Sequence, residues 1–374
     1  MASKSLSIFV HSFLPFMIGL SVGIIIISTS PYRFNTFSFP SIFSSSPPTN
    51  SSDPPPPPPL PGNASMKLDE NKSLEPHNMT DDELLRLAAA ASSSSAAKTF
   101  KDVAKVAFMF LTPGPLPLAP LWEKFFQGHQ HLFSIYIHAH PSYNHSFPDS
   151  SVFFRRTIPS QAVFWGTLSM IDAERRLLAN ALLDLSNQRF VLLSDSCIPL
   201  FNITTTYHYL MASTLSFLQS YDDPSKAARG RYNPRMAPTI TVQQWRKGSQ
   251  WFEIRRDLAE KIVSDQIYYP VFRDHCLPPC YSDEHYLPTL VNILWADASS
   301  NRSVTWVDWS LGGPHPRRFG WIDVKLEVLD KIRFGGEECV YNGNTTTRIC
   351  FLFARKFLPN TADPLLRLSP SLLA

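Results

Sequence analysis

The sequence predicts an α/β protein with a Rossmann-like arrangement of strands and helices. Three apolar, strand-like runs, at residues 105–112, 132–140 and 189–195, alternate with two helix-like segments, PLWEKFF and GTLSMIDAERRLLANALLDLS. This strand–helix–strand–helix–strand order indicates parallel strands that are joined by crossover helices. Of the 374 residues, 44% are hydrophobic and 13% are aromatic, so the chain can bury a sizeable core.

The N-terminal part predicts a membrane anchor followed by a stalk. Residues 6–28 carry no formally charged side chain and match the roughly 20 residues that span a bilayer core, so we expect a transmembrane signal anchor. A cleaved signal peptide is the alternative, but its apolar region usually measures about 7 to 15 residues. Residues 1–5 would then be a cytosolic tail. Residues 29–100 are rich in Ser and Pro and include PPPPPPLPG, which predicts a disordered stalk.

The stalk contains one helix-like stretch, DDELLRLAAAA, which Thr80 or Asp81 can cap. The globular body is expected to occupy residues 101–374 and to lie on the lumenal side, as in a type II membrane protein. This topology is favoured by a high density of Asn-x-Ser/Thr glycosylation sequons, four of which fall in the body, at Asn144, Asn202, Asn301 and Asn344.

The cysteines are also consistent with an oxidising lumen. Two economical disulfides, Cys276 with Cys280 and Cys339 with Cys350, would each close a short loop and leave Cys197 single. A zinc site formed by Cys276, Cys280 and His285 is the alternative, but no fourth ligand stands at a convincing spacing.

Several functional classes lack their motif. The chain has no GxGxxG, GxxxxGK[ST], HExxH or GxSxG, and it has no Asp-x-Asp pair to hold a divalent ion against a nucleotide-sugar diphosphate. We therefore expect no metal and no bound cofactor, and a diphosphate would have to be bound by Arg and Lys. A nucleic-acid partner is poorly supported, because 34 basic residues face 31 acidic ones without a long basic run.

The stretch CYSDEHYLPTL, residues 280–290, is the main candidate for chemistry. Asp283 and Glu284 suit the start of a helix, where Ser282 is a capping residue type. Pro288 indicates that this helix is short or starts later. A carboxylate beside a disulfide at the mouth of a parallel sheet also suits general-base catalysis. Spacing alone leaves the two interpretations equally supported.

Five blocks carry a family resemblance: LLSDSCIPL, RKGSQWFEIRRDLA, CYSDEHYLPT, WVDWSLGGPHP and CFLFARKF. In this order they resemble the plant branch of the core-2/I-branching β-1,6-N-acetylglucosaminyltransferase family, over about residues 105–359. The resemblance implies an inverting glycosyltransferase with a type-A fold, which uses a UDP-sugar without a metal ion and is anchored in the Golgi membrane. It also implies that Glu284 is the catalytic base, with Asp283 and His285 in supporting roles.

The resemblance further assigns residues to the donor and to a glycan or glycoprotein acceptor. Lys356 and Arg348 would bind the diphosphate, and they share one face if TRICFLFARKF forms a single strand. Trp165 would stack on the uracil, and Trp309 would contact the acceptor. Further candidates are, on the donor side, Thr112 and His140, and, on the acceptor side, Asp195 and Arg235.

Two departures from the family pattern concern recognition. His140 stands where animal members carry an Asp that contacts the nucleotide, and Leu311 stands where Arg is usual in plant members. The donor sugar, expected to be GlcNAc or a related UDP-sugar, therefore stays open. The main alternative function is a membrane-anchored glycan-binding or scaffolding protein that keeps the fold without turnover. A glycoside hydrolase would need a second carboxylate across the cleft, for which Asp195 is the one candidate.

Overall fold

The computed structural model describes residues 77–95 and 103–374. The predicted tail, the predicted transmembrane span and most of the predicted stalk lie outside these residues. Among the described residues, no helix is both long enough and apolar enough to cross a membrane.

The described part of the chain alternates helices and strands. Its helices are α1 (Asp81–Ser95), α2 (Ala119–Phe126), α3 (Ser169–Leu182), α4 (Ile203–Ala212), α5 (Arg256–Val263), α6 (Tyr268–His275), α7 (Tyr286–Leu294), α8 (Leu326–Phe334) and α9 (Ala362–Leu372). Its strands are β1 (Lys105–Leu111), β2 (Phe133–His138), β3 (Asn187–Ser194), β4 (Ile198–Pro199), β5 (Glu253–Arg255), β6 (Thr305–Val307), β7 (Cys339–Tyr341), β8 (Thr345–Thr347) and β9 (Phe353–Arg355).

The central sheet confirms the predicted α/β arrangement. Its strand order is β2-β1-β3-β5, with β1 parallel to both β2 and β3 and with β5 antiparallel at the edge. Helix α2 connects β1 to β2, and α3 lies between β2 and β3. Because parallel strands are covered on both faces, they are continuous apolar runs in the sequence. Because β1, β2 and β3 are parallel, their carboxyl ends lie at the same edge of the sheet. Ligands bind at this edge in such sheets.

The core lies on both faces of this sheet, and β1 contributes to each by alternation. Phe108 and Phe110 point to an aromatic cluster, where the Phe108 ring meets Phe126 at a centroid distance of 5.0 Å and Phe110 meets Trp122 at 5.2 Å, both edge-on. Met109 packs on the opposite face. Edge-on aromatic pairs add about 0.5–1.5 kcal/mol each beyond area burial, so this cluster holds the sheet that carries the cleft.

Helix α1 lies before residue 101, where the body was predicted to begin, and it packs against α3. Thr80 and Glu83 form a capping box, in which the Glu83 carboxylate accepts from the Thr80 backbone N–H at 2.8 Å. Leu84 is buried, and Asp81 forms a bidentate ion pair with Arg176 of α3, at 2.7 and 2.5 Å. The helix is thus attached to α3 by both apolar burial and charge.

A second sheet has the order β4-β9-β6, and β7 and β8 form a hairpin. The predicted single strand through TRICFLFARKF is wrong, because β8 ends at Thr347 and β9 covers only three residues. Between these strands, the Cys339–Cys350 disulfide and a hydrogen bond of 2.7 Å from Arg302 to the Cys350 carbonyl hold the chain. The alternating-face argument therefore does not apply to Arg348 and Lys356.

Candidate active site

A cleft of about 740 Å³ lies at the carboxyl ends of the parallel strands. Most of the predicted site residues line it: Thr112, His140, Trp165, Asp195, Asp283, Glu284, Trp309 and Lys356. Its size is within the range of about 300–1,000 Å³ that is typical of small-molecule sites. Three predicted residues, Arg235, Arg348 and His285, do not line it.

The ends of β1 and β2 shape one wall of the cleft through local turns. The Thr112 hydroxyl donates to the Pro115 carbonyl at 3.0 Å and accepts from the Gly114 N–H at 3.1 Å, so it stabilises the loop after β1. His140 follows β2, and its Nδ1 lies 2.7 Å from the Ser142 hydroxyl. The other imidazole nitrogen of His140 is then the one that can meet a ligand.

Glu284 is held by a rigid turn. The Cys276–Cys280 disulfide precedes Tyr281, whose φ of 55° reverses the chain into a short 3₁₀ turn, Ser282–Glu284. The Glu284 carbonyl accepts from the Gly248 N–H at 2.9 Å. Only glycine fits at 248, because a Cβ there would stand 1.9 Å from the Gln219 carbonyl oxygen. The base candidate therefore sits on backbone that is fixed from two sides.

Two cations, which the sequence analysis missed, contact the Glu284 carboxylate. Arg231 Nη1 lies 2.7 Å and Lys247 Nζ lies 3.5 Å from the same atom, Oε2, and the side chain remains 28% exposed. The Arg231 guanidinium also stacks on the Tyr281 ring at 4.3 Å. No hydrogen bond from the described residues reaches Glu284 Oε1, so this oxygen is free to accept a proton from a bound hydroxyl.

Asp283, unlike the partly exposed Glu284, lies in a buried environment. Its side chain is buried, and its Oδ1 has no hydrogen-bond partner among the described residues. Burial raises the pKa of Asp283 to about 6, and the adjacent Glu284 carboxylate adds to the rise. Glu174 of α3 lies behind it, fully buried, and burial raises the pKa of this carboxyl well above its ordinary value. Neighbouring carboxyls in such different environments are typical of sites that separate acid and base roles.

His285 faces the core rather than the cleft. Its Nδ1 lies 2.7 Å from the Arg246 carbonyl oxygen, and its ring stacks on Trp245 at 4.5 Å. Burial lowers the pKa of His285 to about 3, so the ring is neutral at physiological pH. The longer helix, α7, starts only at Tyr286, which places Pro288 in its first turn, where proline is tolerated. Ser282 does not cap that helix; its hydroxyl donates to the Thr167 carbonyl at 3.1 Å.

A cationic end of the cleft is built where β3 and β9 finish. Arg355 and Lys356 line it together with Asp195. Burial raises the pKa of Asp195, while the charges of Arg355 and Lys356 oppose that rise. The Arg355 guanidinium stacks on the Trp251 ring at 4.0 Å, and its Nε has no hydrogen-bond partner among the described residues. This end could hold an anion of two or more charges.

Arg348 and Arg235 do not belong to the cleft. Arg348 is exposed, follows β8 directly and is separated from β9 by residues 349–352. Arg355 takes its place as the second cation, and the only signal in the sequence was its position directly before Lys356. Arg235 is exposed on the 3₁₀ turn Pro234–Met236.

The mouth of the cleft carries exposed aromatic rings. Trp165 is 60% and Trp309 is 51% exposed.

Of the four sequons in the body, Asn144, Asn301 and Asn344 are exposed. The Asn202 side chain instead caps α4 and donates to the Ala374 carbonyl at 2.9 Å.

The structure contains both predicted disulfides, Cys276–Cys280 and Cys339–Cys350, and Cys197 is single and buried. The zinc alternative is therefore wrong, since Cys276 and Cys280 are bonded to each other. Within residues 77–95 and 103–374, no group of three or more His, Cys, Asp or Glu is placed to hold a metal ion.

Comparison with known proteins gives two matches. The family model described as Core-2/I-Branching enzyme matches residues 106–333, which include the central sheet and the Glu284 turn. Glycosyltransferase BC10 of Oryza sativa subsp. japonica is 39% identical over 311 residues, which cover 71% of this chain and 77% of the rice protein. Both matches agree with the family to which the ordered sequence blocks point.

Proposed function

This chain belongs to the Core-2/I-branching enzyme family and is a glycosyltransferase, and we propose that it transfers a sugar from a UDP-sugar with inversion and without a metal ion. The family implies a nucleotide-sugar donor and a glycan acceptor. GlcNAc or a related sugar is the proposed group transferred, onto a glycan or glycoprotein.

The environment of Glu284 is the observation that carries the proposal. Arg231 and Lys247 contact Oε2, so the side chain is oriented and its charge is compensated while Oε1 stays open to the cleft. In the proposed step, Oε1 takes the proton of an acceptor hydroxyl as that oxygen attacks the anomeric carbon. The bond from that carbon to the diphosphate breaks on the opposite face, so a single displacement inverts the configuration.

The cationic end supports departure of the diphosphate. Arg355 and Lys356 are two positive groups at the edge of the parallel sheet, and a leaving UDP gains negative charge in the transition state. The free Nε of Arg355 and its fixed position on Trp251 suit a guanidinium that binds phosphate oxygens. Arg355 and Lys356 thus compensate the negative charge of the leaving diphosphate in a mechanism that uses no metal ion. Asp195, beside both cations, is proposed to orient them.

The ends of β1 and β2 are proposed to bind the nucleoside. Thr112 shapes the loop and His140 presents a ring nitrogen where a carboxylate would be expected, so a hydrogen bond to the ribose or base would come from imidazole. Trp309 is proposed to contact the acceptor, since an exposed flat ring fits the apolar face of a sugar.

The proposed location is the Golgi membrane, with residues 6–28 as a type II anchor and the body in the lumen. The run of 23 residues without a formal charge and the sequons of the body support this topology.

A screen of UDP-sugars by UDP release tests the proposal. We expect release from one donor above background, increased by an acceptor glycan and unchanged in EDTA. Release that is abolished by EDTA and restored by a divalent ion would contradict the metal-independent mechanism. If the protein binds UDP or glycans but releases no UDP from any donor, the non-catalytic glycan-binding alternative is supported instead.

A further inference from the structure

The turn that carries Trp165 is attached to the turn that carries Glu284 by three separate contacts. The Ser282 hydroxyl donates to the Thr167 carbonyl at 3.1 Å. The Trp165 ring meets the Tyr281 ring at a centroid distance of 5.0 Å. Gly166, with a φ of 77°, passes so close to Tyr281 that a Cβ would lie 3.1 Å from its ring. The two turns therefore form one unit of structure.

Trp165 is connected to the base itself through stacked groups. Tyr281 contacts Trp165 on one side and the Arg231 guanidinium, at 4.3 Å, on the other. Arg231 in turn holds Glu284 Oε2 at 2.7 Å. A group that binds on Trp165 thus lies next to the machinery that deprotonates the acceptor.

The second neighbour of Trp165 comes from another loop that lines the cleft. His315 meets the Trp165 ring at a centroid distance of 5.5 Å and is exposed, and it lies on the loop that also carries Trp309. Despite these contacts, Trp165 remains 60% exposed and lines the cleft. A large indole that is held on two sides and left open on its remaining surface is typical of a binding platform.

We propose that Trp165 and His315 form an acceptor subsite, which binds a pyranose ring next to the sugar that carries the reacting hydroxyl. This proposal rests on the proposed function, and it replaces the expectation that Trp165 stacks on the uracil. In a displacement reaction, the base lies on the acceptor side of the anomeric carbon and the diphosphate lies on the other. Trp165 is built into the base side, whereas Arg355 and Lys356 provide the diphosphate side.

The subsite predicts an acceptor of more than one sugar unit. An exposed indole face binds the apolar face of a pyranose, and the imidazole of His315 can hydrogen-bond to its hydroxyl groups. In this proposal, the sugar that carries the reacting hydroxyl occupies the Glu284 site, and a second sugar unit occupies the subsite of Trp165 and His315. Longer oligosaccharides should therefore bind more tightly than single sugars, and this advantage should depend on Trp165.

The test uses the full chain with UDP present and measures binding of galacto-, xylo- and manno-oligosaccharides, from single sugars to hexasaccharides. The variants are Trp165→Ala, Trp165→Phe and a control, Trp321→Ala. Trp321 is an exposed indole (52%, against 60% for Trp165) that does not line the cleft. We expect Trp165→Ala to weaken the best oligosaccharide by roughly tenfold, as for loss of a central aromatic contact. Trp165→Phe should retain most of the affinity, and Trp321→Ala should match wild type.

A separate measurement of the affinity for UDP distinguishes failure of the acceptor subsite from failure of the proposed function. If Trp165→Ala weakens UDP and leaves oligosaccharide binding intact, Trp165 contacts the nucleotide and the subsite is refuted. If wild type binds UDP but none of the oligosaccharides, or binds all lengths equally, the subsite is refuted while the donor site stands. If wild type binds no UDP, the proposed function itself fails.

Discussion

Replacement of Asp283 by Asn should make the protein more stable at neutral pH. The Asp283 carboxyl is buried beside the Glu284 carboxylate, and its Oδ1 has no hydrogen-bond partner among the described residues. An ionised carboxylate in this position is costly, because burial and like charge both oppose its charged form. Asn has nearly the same shape and does not ionise, and its amide N–H groups can be donated to neighbouring oxygens.

The pKa of Asp283 gives the size and the sign of the effect. It rises from 3.8 to about 6 on folding, so the folded protein holds the proton more tightly than the unfolded chain. The contribution to stability is therefore fully present below pH 3.8 and is lost as the pH rises through about 6. A shift of about two units corresponds to about 3 kcal/mol, since each unit is worth about 1.4 kcal/mol. Asp283→Asn avoids this loss.

Urea unfolding followed by tryptophan fluorescence, at a series of pH values, measures the difference between variant and wild type. We expect the unfolding free energy of Asp283→Asn, relative to wild type, to increase by about 3 kcal/mol between acidic and slightly alkaline pH. Asp297→Asn, at an exposed position, is the control and should show no such trend. A difference for Asp283→Asn that does not change with pH would refute the reasoning.

Two further predictions concern the cationic end and the N-terminal helix. Arg355→Met should weaken UDP binding by roughly 10- to 100-fold, which is the loss expected for a charge-assisted hydrogen bond. Arg348→Met is the control and should leave UDP binding unchanged. Isothermal calorimetry measures both affinities, and equal losses would contradict the assignment of Arg355 to the diphosphate. The fragment 97–374 should be less stable in urea than 77–374 by about 3 kcal/mol, because it lacks Leu84 and exposes the surface that α1 covers. Equal stabilities would mean that α1 is not part of the folded unit.

The parallel strands could be predicted from the sequence because their burial is complete. The expected runs at 105–112, 132–140 and 189–195 agree with the ends of β1, β2 and β3 to within two residues. Strand β5 was missed, since Glu253 and Arg255 in its short sequence suggest a surface. In the structure Glu253 is buried and pairs with Arg189 of β3 at 2.7 Å, a contact that only the tertiary fold brings together.

Helices α3 and α1 also show that burial produced by tertiary packing cannot be seen in the sequence. The sequence predicted helix α3, but it did not show that the charged residues Glu174, Arg175 and Arg176 are buried. They are buried because α1 and α5 pack against α3. Since α1 is rich in Ala and Ser, its composition alone made it appear part of the stalk.

The candidate base was accessible to sequence reasoning because Asp283, Glu284 and His285 are contiguous and belong to a recognisable block. The two cations that contact Glu284 could not be found from the sequence. Arg231 and Lys247 are distant from Glu284 in the chain, and only the fold brings them into contact with its carboxylate. The position of Arg348 shows a different limit. A strand pattern was extended through residues 348–352, which lie between β8 and β9 and are not strand.

The central claim is that Glu284 is the catalytic base, and the variant Glu284→Gln tests it most directly. Gln keeps the shape and the hydrogen bond to Arg231 but cannot accept the acceptor proton. With the donor found by UDP release, kcat/KM for transfer should fall by about 10²- to 10⁴-fold, while the Kd for UDP stays within about twofold of wild type. A variant that keeps wild-type transfer rates would contradict the assignment of Glu284 as base.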